Sequence, residues 1–167
     1  AEDTASALHW LSCQPGVDAR RLALLGHSVG AAAALLCASG RLASSPAEHH
    51  ADWPPDSPTL AAVVSVSAFA HPEQVMRRWL TSRHIPYWPL GWAVNRYVEH
   101  VIGHRFNRIA PIATLPHIAC PALLVHGLQD DVVPPDCARQ LQQSNPRTEL
   151  WLVPGQHDRF DDEATLQ

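Results

Sequence analysis

Four short apolar runs set the tightest limit on what this chain can fold into. They lie at residues 21–25 (RLALL), 60–67 (LAAVVSVS), 122–126 (ALLVH) and 150–153 (LWLV). Each has the length of a buried strand and is too short for a helix. Helical patterns separate them. Residues 2–12 place Ala5, Leu8 and Leu11 at helical spacing behind leading acids, and Pro15-Gly16 ends that pattern. Residues 29–39 are rich in Ala and Leu and stop at Gly40, and residues 136–143 follow Pro134-Pro135 and are capped by Asp136 or by those prolines. Apolar strands alternating with helices build right-handed βαβ units, hence a parallel sheet covered on both faces. The expected fold class is therefore α/β, with about four strands and flanking helices. A chain of 167 residues reads as one domain, 1–167, without internal repeats.

Two segments fall outside the alternation. Residues 41–59, rich in Ser, Pro, His and Asp, read as a solvated loop that also holds His49, His50 and Asp52. A last helix is expected to begin near the end of the chain. Residues 71–117 mix Trp79, Tyr87, Trp88, Trp92 and Tyr97 with arginines at 77, 78, 83, 96, 105 and 108. Parts of it read as helical, interrupted at Pro86 and Pro89. Its arginines read mainly as solvated, with a substrate carboxylate as the other use.

Charge and cysteine usage exclude several partners. A formal net charge of −4 argues against a nucleic-acid or anionic-membrane partner, since all 12 basic residues, every one Arg, are outnumbered by acids. No stretch approaches the ~20 apolar residues of a membrane span. Cys13, Cys37, Cys120 and Cys137 form no C-x-x-C pair and read as free thiols. His100 and His104 share a helical face beside Glu99, but a third ligand is not evident, so no metal is expected. No cofactor is expected either. The compartment stays open, with a cytoplasmic setting favoured, and the oligomeric state is unknown.

The chemistry-bearing motif is Gly26-His27-Ser28-Val29-Gly30, a G-x-S-x-G pattern between an expected strand and an expected helix. Such a turn must be sharp, so Ser28 is expected at positive φ with its hydroxyl clear of the sheet. Gly26 and Gly30 are read as removing side chains that would collide there. The stretch resembles the nucleophile elbow of the α/β-hydrolase superfamily. Two more motifs agree. Residues 126–134 (HGLQDDVVP) resemble the superfamily's loop after the strand that carries the acid, which aligns with Asp130, with Asp131 as runner-up. Gly155-Gln156-His157-Asp158 follows the fourth strand, where the superfamily places its histidine. The chain order Ser–Asp–His also matches.

The resemblance implies a serine hydrolase with Ser28 as nucleophile, His157 as base and Asp130 as orienting acid, working through an acyl-enzyme. The Val29 amide is the implied oxyanion donor. Residues 71–117 take the place of a cap insertion over the acyl pocket, with ordinary packing of helix faces as the other reading, and Trp88 and Trp92, with His27, are the expected substrate contacts. The flanks resemble the esterase and serine-aminopeptidase-like branch, so the expected substrate is a small-molecule carboxylic ester or related acyl compound. A peptidase, an acyltransferase or a non-catalytic binding module are the alternatives. The superfamily also has strands and an H-G-G-G-type loop ahead of the elbow, and nothing before residue 20 matches them. The expected fold is thus a partial α/β-hydrolase, with an exposed edge at the elbow strand and weak activity for the piece alone.

Overall fold

The computed structural model describes residues 2–40 and 60–160. The expected loop at 41–59, with His49, His50 and Asp52, lies outside the described residues, as does the expected last helix beyond residue 160. Among the described residues, four parallel strands form one sheet in the order β1 (Ala23–His27), β2 (Ala62–Val66), β3 (Ala122–Gly127) and β4 (Glu149–Val153). The register levels their carboxyl ends: His27 lies opposite Val66, Val66 opposite Val125, and Gly127 opposite Val153. Residues that follow these strands therefore emerge along one edge of the sheet, where open α/β sheets gather their sites.

The first strand starts two residues later than its apolar run suggests. Asp18 accepts the Arg20 N–H at 3.0 Å and caps a 3₁₀ turn over Ala19–Arg21, which takes Arg21 out of the strand. The strand instead runs on through Gly26 to His27. It lies at the edge of the sheet, and Leu25 on it is 74% exposed.

Helix α1 spans Glu2–Ser12 and α2 spans Val29–Ala38. Ala31, Ala34 and Leu35 of α2 pack into the main core with Val63, Leu124, Val133 and Leu141. Small side chains on α2 let its axis approach the sheet closely. Leu8 of α1 joins Leu22 and Cys37 in a second cluster on the far side of α2.

The aromatic segment divides into two parts. Helix α3 (Pro72–Ser82) is capped by His71, whose Nδ1 accepts the Glu73 N–H at 3.2 Å. A kinked turn over Tyr87–Gly91, extended at Trp88 (φ −94°, ψ 134°), leads into α4 (Trp92–Ile102), which Gly103 stops at φ 71°. These elements pack mainly on each other. The short helices α5 (Phe106–Ile109) and α6 (Pro111–Thr114) and the 3₁₀ turn Leu115–His117 belong to the main body: Leu115 and Ile118 sit in the central core. Buried Glu99 ties the parts together, taking Arg96 at 2.7 Å, Arg105 at 3.3 Å and the Phe106 N–H at 2.8 Å. Several of the segment's arginines are thus engaged within the chain: Arg77 pairs with Glu73 and lies over the Tyr87 ring, and Arg83 lies over Trp79. Helix α7 (Pro135–Ser144) begins on its prolines, without a side-chain cap, and turns Cys137, Ala138 and Leu141 inward.

Candidate active site

Ser28 sits where β1 becomes α2, at φ 53° and ψ −115°. Its N–H donates to the Val66 carbonyl at 2.9 Å, and its own carbonyl accepts the Ala32 N–H at 3.2 Å, so the sheet and the helix each hold one side of this residue. A non-glycine residue at such angles costs about 1–3 kcal/mol and persists only when its surroundings dictate it. Gly26 makes the turn possible, because a Cβ there would overlap the Gly30 carbonyl and lie 2.7 Å from the Ala31 nitrogen. Gly30 differs from its expected part: a Cβ built on it meets nothing within 4 Å. The tight approach is of Gly26 to the backbone of Gly30, so only the first glycine is sterically required.

Asp130 and His157 come to Ser28 from the ends of β3 and β4. His157 Nε2 is 3.0 Å from Ser28 Oγ, and its Nδ1 is 2.8 Å from Asp130 Oδ2. The Asp130 side chain is fully buried. Its Oδ1 accepts the N–H groups of Val132 at 3.0 Å and Val133 at 2.7 Å. Asp131 is exposed and meets Arg78 only through its main-chain carbonyl, at 3.2 Å. Of the two acids, Asp130 is the one within hydrogen-bond distance of His157.

A residue with no role in the sequence reading lies behind the acid. His126, 1% exposed, places Nε2 2.9 Å from the Val133 carbonyl and 3.3 Å from Asp130 Oδ2. Both neighbours are acceptors, so Nε2 carries the proton. Burial pushes the pKa of His126 down, against the opposing pull of the Val133 carbonyl and Asp130. It is a neutral donor that braces the acid loop. The His-Gly pair closing an apolar run is the only trace of it in the sequence.

The acid loop and the histidine loop interlock. Gly155 donates its N–H to Gln129 Oε1 at 2.6 Å, and Gln129 returns its N–H to the Gly155 carbonyl at 2.9 Å. A Cβ on Gly127 would lie 2.6 Å from the carbonyl oxygens of Gly155 and Gln156, so the two loops touch through a glycine.

Of the expected substrate contacts, His27 lies against His157, and Trp88 and Trp92 lie on the exposed segment of the kinked turn and α4. His27 Nε2 is 2.7 Å from the main-chain carbonyl of His157, which engages it inside the loop framework. Trp88 and Trp92 are 73% and 51% exposed and do not line the cavity beside the elbow. That cavity, about 420 Å³, is walled by Val29, Ala32, Ala33 and Leu36 of α2 together with Phe69 and Ile109, with Asp3 and His104 as its polar groups. Val29 is the first residue of α2, so its N–H has no carbonyl four residues back within the helix. Among the described residues, no group of three or more His, Cys, Asp or Glu side chains is arranged to hold a metal ion, and no helix is long and apolar enough to cross a membrane.

A family model described as serine hydrolase (FSH1) matches residues 20–158 of the chain. No curated protein matches it significantly. Among solved structures, an esterase from Pyrococcus furiosus superposes with a TM-score of 0.58 at 19% identity, over 93% of this chain and 52% of its own. The esterase domain of a Rhodothermus marinus protein gives 0.57 at 22%, over 93% and 58%. A puromycin-hydrolyzing peptidase from Mycobacterium tuberculosis gives 0.61 at 17%, over 96% and 22%. The chain thus spans little more than half the length of the two esterases.

Proposed function

The chain belongs to the serine hydrolase (FSH1) family with a partial α/β-hydrolase fold, and on that premise we propose that it hydrolyses a carboxylic ester through an acyl-enzyme on Ser28. One observation carries the reading: the line from Asp130 through His157 to Ser28, with hydrogen-bond distances of 2.8 and 3.0 Å, ends on a serine held at positive φ. Neutral His157 takes the Ser28 proton as Oγ attacks the ester carbonyl, then passes it to the departing alcohol. Buried Asp130 keeps the imidazole proton on Nδ1 and stabilises the imidazolium between those steps. Water, deprotonated by the same His157 nitrogen, then releases the acid. The Val29 N–H and the positive end of α2 stabilise the oxyanion at the step where charge develops.

The cavity supports an apolar acyl group on the substrate. Val29, the residue after Ser28, is one of its walls, and the walls are mostly aliphatic, although Ser28, Asp130 and His157 are not among them. Helices α3 and α4 take the part of a cap. A fluorophosphonate probe tests the reading. Covalent labelling of the protein, abolished in Ser28→Ala, is the expected result. Equal labelling of both proteins, or of neither, refutes it.

A further inference from the structure

We propose that His27 and Ser67 are positioning residues that keep His157 in line by gripping its main-chain carbonyl. The inference rests on the proton-shuttling role of His157 argued above, and it concerns the opposite end of that residue from its ring chemistry. His157 sits on the loop after β4, so holding its imidazole requires holding its peptide. Its carbonyl oxygen points back to the sheet edge, where the Nε2–H of His27 meets it at 2.7 Å and the hydroxyl of Ser67 at 3.2 Å. The two donors stand at the ends of adjacent strands, β1 and β2, and between them they take up both lone pairs of that oxygen. The His27 and His157 rings also pack at 4.9 Å between centroids, tilted by 53°.

Ser67 carries an independent sign of this use. It is fully buried, yet its φ is 51°, in the left-handed region that a non-glycine residue adopts at a cost. Its N–H is spent on the Val125 carbonyl at 2.9 Å, which fixes the peptide so that the hydroxyl is presented to the loop. Backbone strain at the carboxyl edge of the sheet thus occurs twice in neighbouring positions, at the nucleophile Ser28 and at Ser67. One serine presents its hydroxyl to the His157 ring and the other to the His157 backbone.

The test separates positioning from simple stability. With ester turnover normalised to active sites titrated by the fluorophosphonate, His27→Leu should lower kcat about five- to tenfold, and Ser67→Ala about threefold. The double variant should fall by about the product, with KM within twofold throughout. His27→Gln, whose amide can still donate, should recover most of the His27→Leu loss. A purely structural role would lower the fraction of titratable sites and leave kcat per site unchanged. That outcome, or no rescue by glutamine, overturns the proposal. NMR gives a readout that needs no turnover: the His157 ring resonances should broaden or double in His27→Leu. Sharp, unmoved His157 signals in that variant overturn the clamp even if the wild-type protein proves unreactive, whereas lack of reaction with intact clamp signals would count against Ser28 chemistry alone.

Discussion

Replacing Asp130 by asparagine tests the proton path with the least disturbance of shape. Asp130 Oδ1 accepts two main-chain N–H groups, from Val132 and Val133, and only the amide oxygen of the variant can take that place. The amide NH₂ is then turned toward His157 Nδ1, where the carboxylate stood at 2.8 Å. An N–H donor there strips the proton from Nδ1 and moves it to Nε2, so His157 faces Ser28 Oγ as a donor and has no lone pair for the serine proton. The imidazolium also loses its counter-charge. In serine proteases the same exchange of carboxylate for amide, with the same wrong tautomer, lowers kcat by ~10⁴, or about 5.5 kcal/mol of barrier. Folding should suffer by only about 1–2 kcal/mol, because the two loop N–H groups keep an acceptor and His126 keeps the Val133 carbonyl. Steady-state hydrolysis of a p-nitrophenyl ester by Asp130→Asn, with a urea melt in parallel, gives both quantities. A folded variant with kcat within tenfold of wild type would show that the tautomer reasoning is wrong.

Gly26→Ala drives a Cβ into the backbone of Gly30 and Ala31, so it should cost about 3 kcal/mol and lower Tm by several degrees, measured calorimetrically. If the cavity beside Val29 holds the acyl chain, kcat/KM should rise by about fourfold per methylene from acetate toward hexanoate, and Ala33→Leu should erase that rise while leaving acetate within twofold; a chain-length profile identical in both proteins counts against the assignment. The pKa of His126 is lowered from 6.5 chiefly by burial, with Asp130, His157 and Arg139 as the nearby titratable or charged groups. Below pH 6.5 the unfolded chain takes up this proton more readily than the folded protein does, so stability falls as the pH drops through that range. His126→Gln should flatten that dependence in urea titrations between neutral and mildly acidic pH.

The parts of the fold that are readable in the sequence share a cause. The run 122–126 is an inner strand with Leu124 and His126 buried, whereas 150–153 forms a strand at the end of the sheet order with none of its residues fully buried, so apolar runs mark strands here even where burial is partial. The first strand departs from its run by two residues because Gly26 and His27 look like the start of a turn, and only the close packing of Gly26 under α2 shows that they are still strand. Ser28, Asp130 and His157 are readable because their flanks (residues 26–30, 126–134 and 155–158) resemble the motifs of the α/β-hydrolase superfamily. The clamp is not: His27 and Ser67 act through a main-chain oxygen 130 and 90 residues away, and no local pattern encodes such a contact. For Trp88 and Trp92 the sequence does not say which face of the segment turns to solvent, and both are largely exposed.

Three histidines meet at this corner of the sheet, and environment alone separates what they can do. His126 is buried with its Nε2–H committed to the Val133 carbonyl and Asp130, so a proton gained or lost there would break the acid loop. His27 is exposed, but its Nε2–H is committed to a carbonyl, which has no proton to exchange. Only His157 joins a carboxylate on one nitrogen to a hydroxyl on the other, and only a hydroxyl can both give up a proton and attack. On the proposed mechanism the same residue type is used to brace, to grip and to shuttle. The division follows from whether each ring nitrogen faces an acceptor alone or a group with a proton of its own to give.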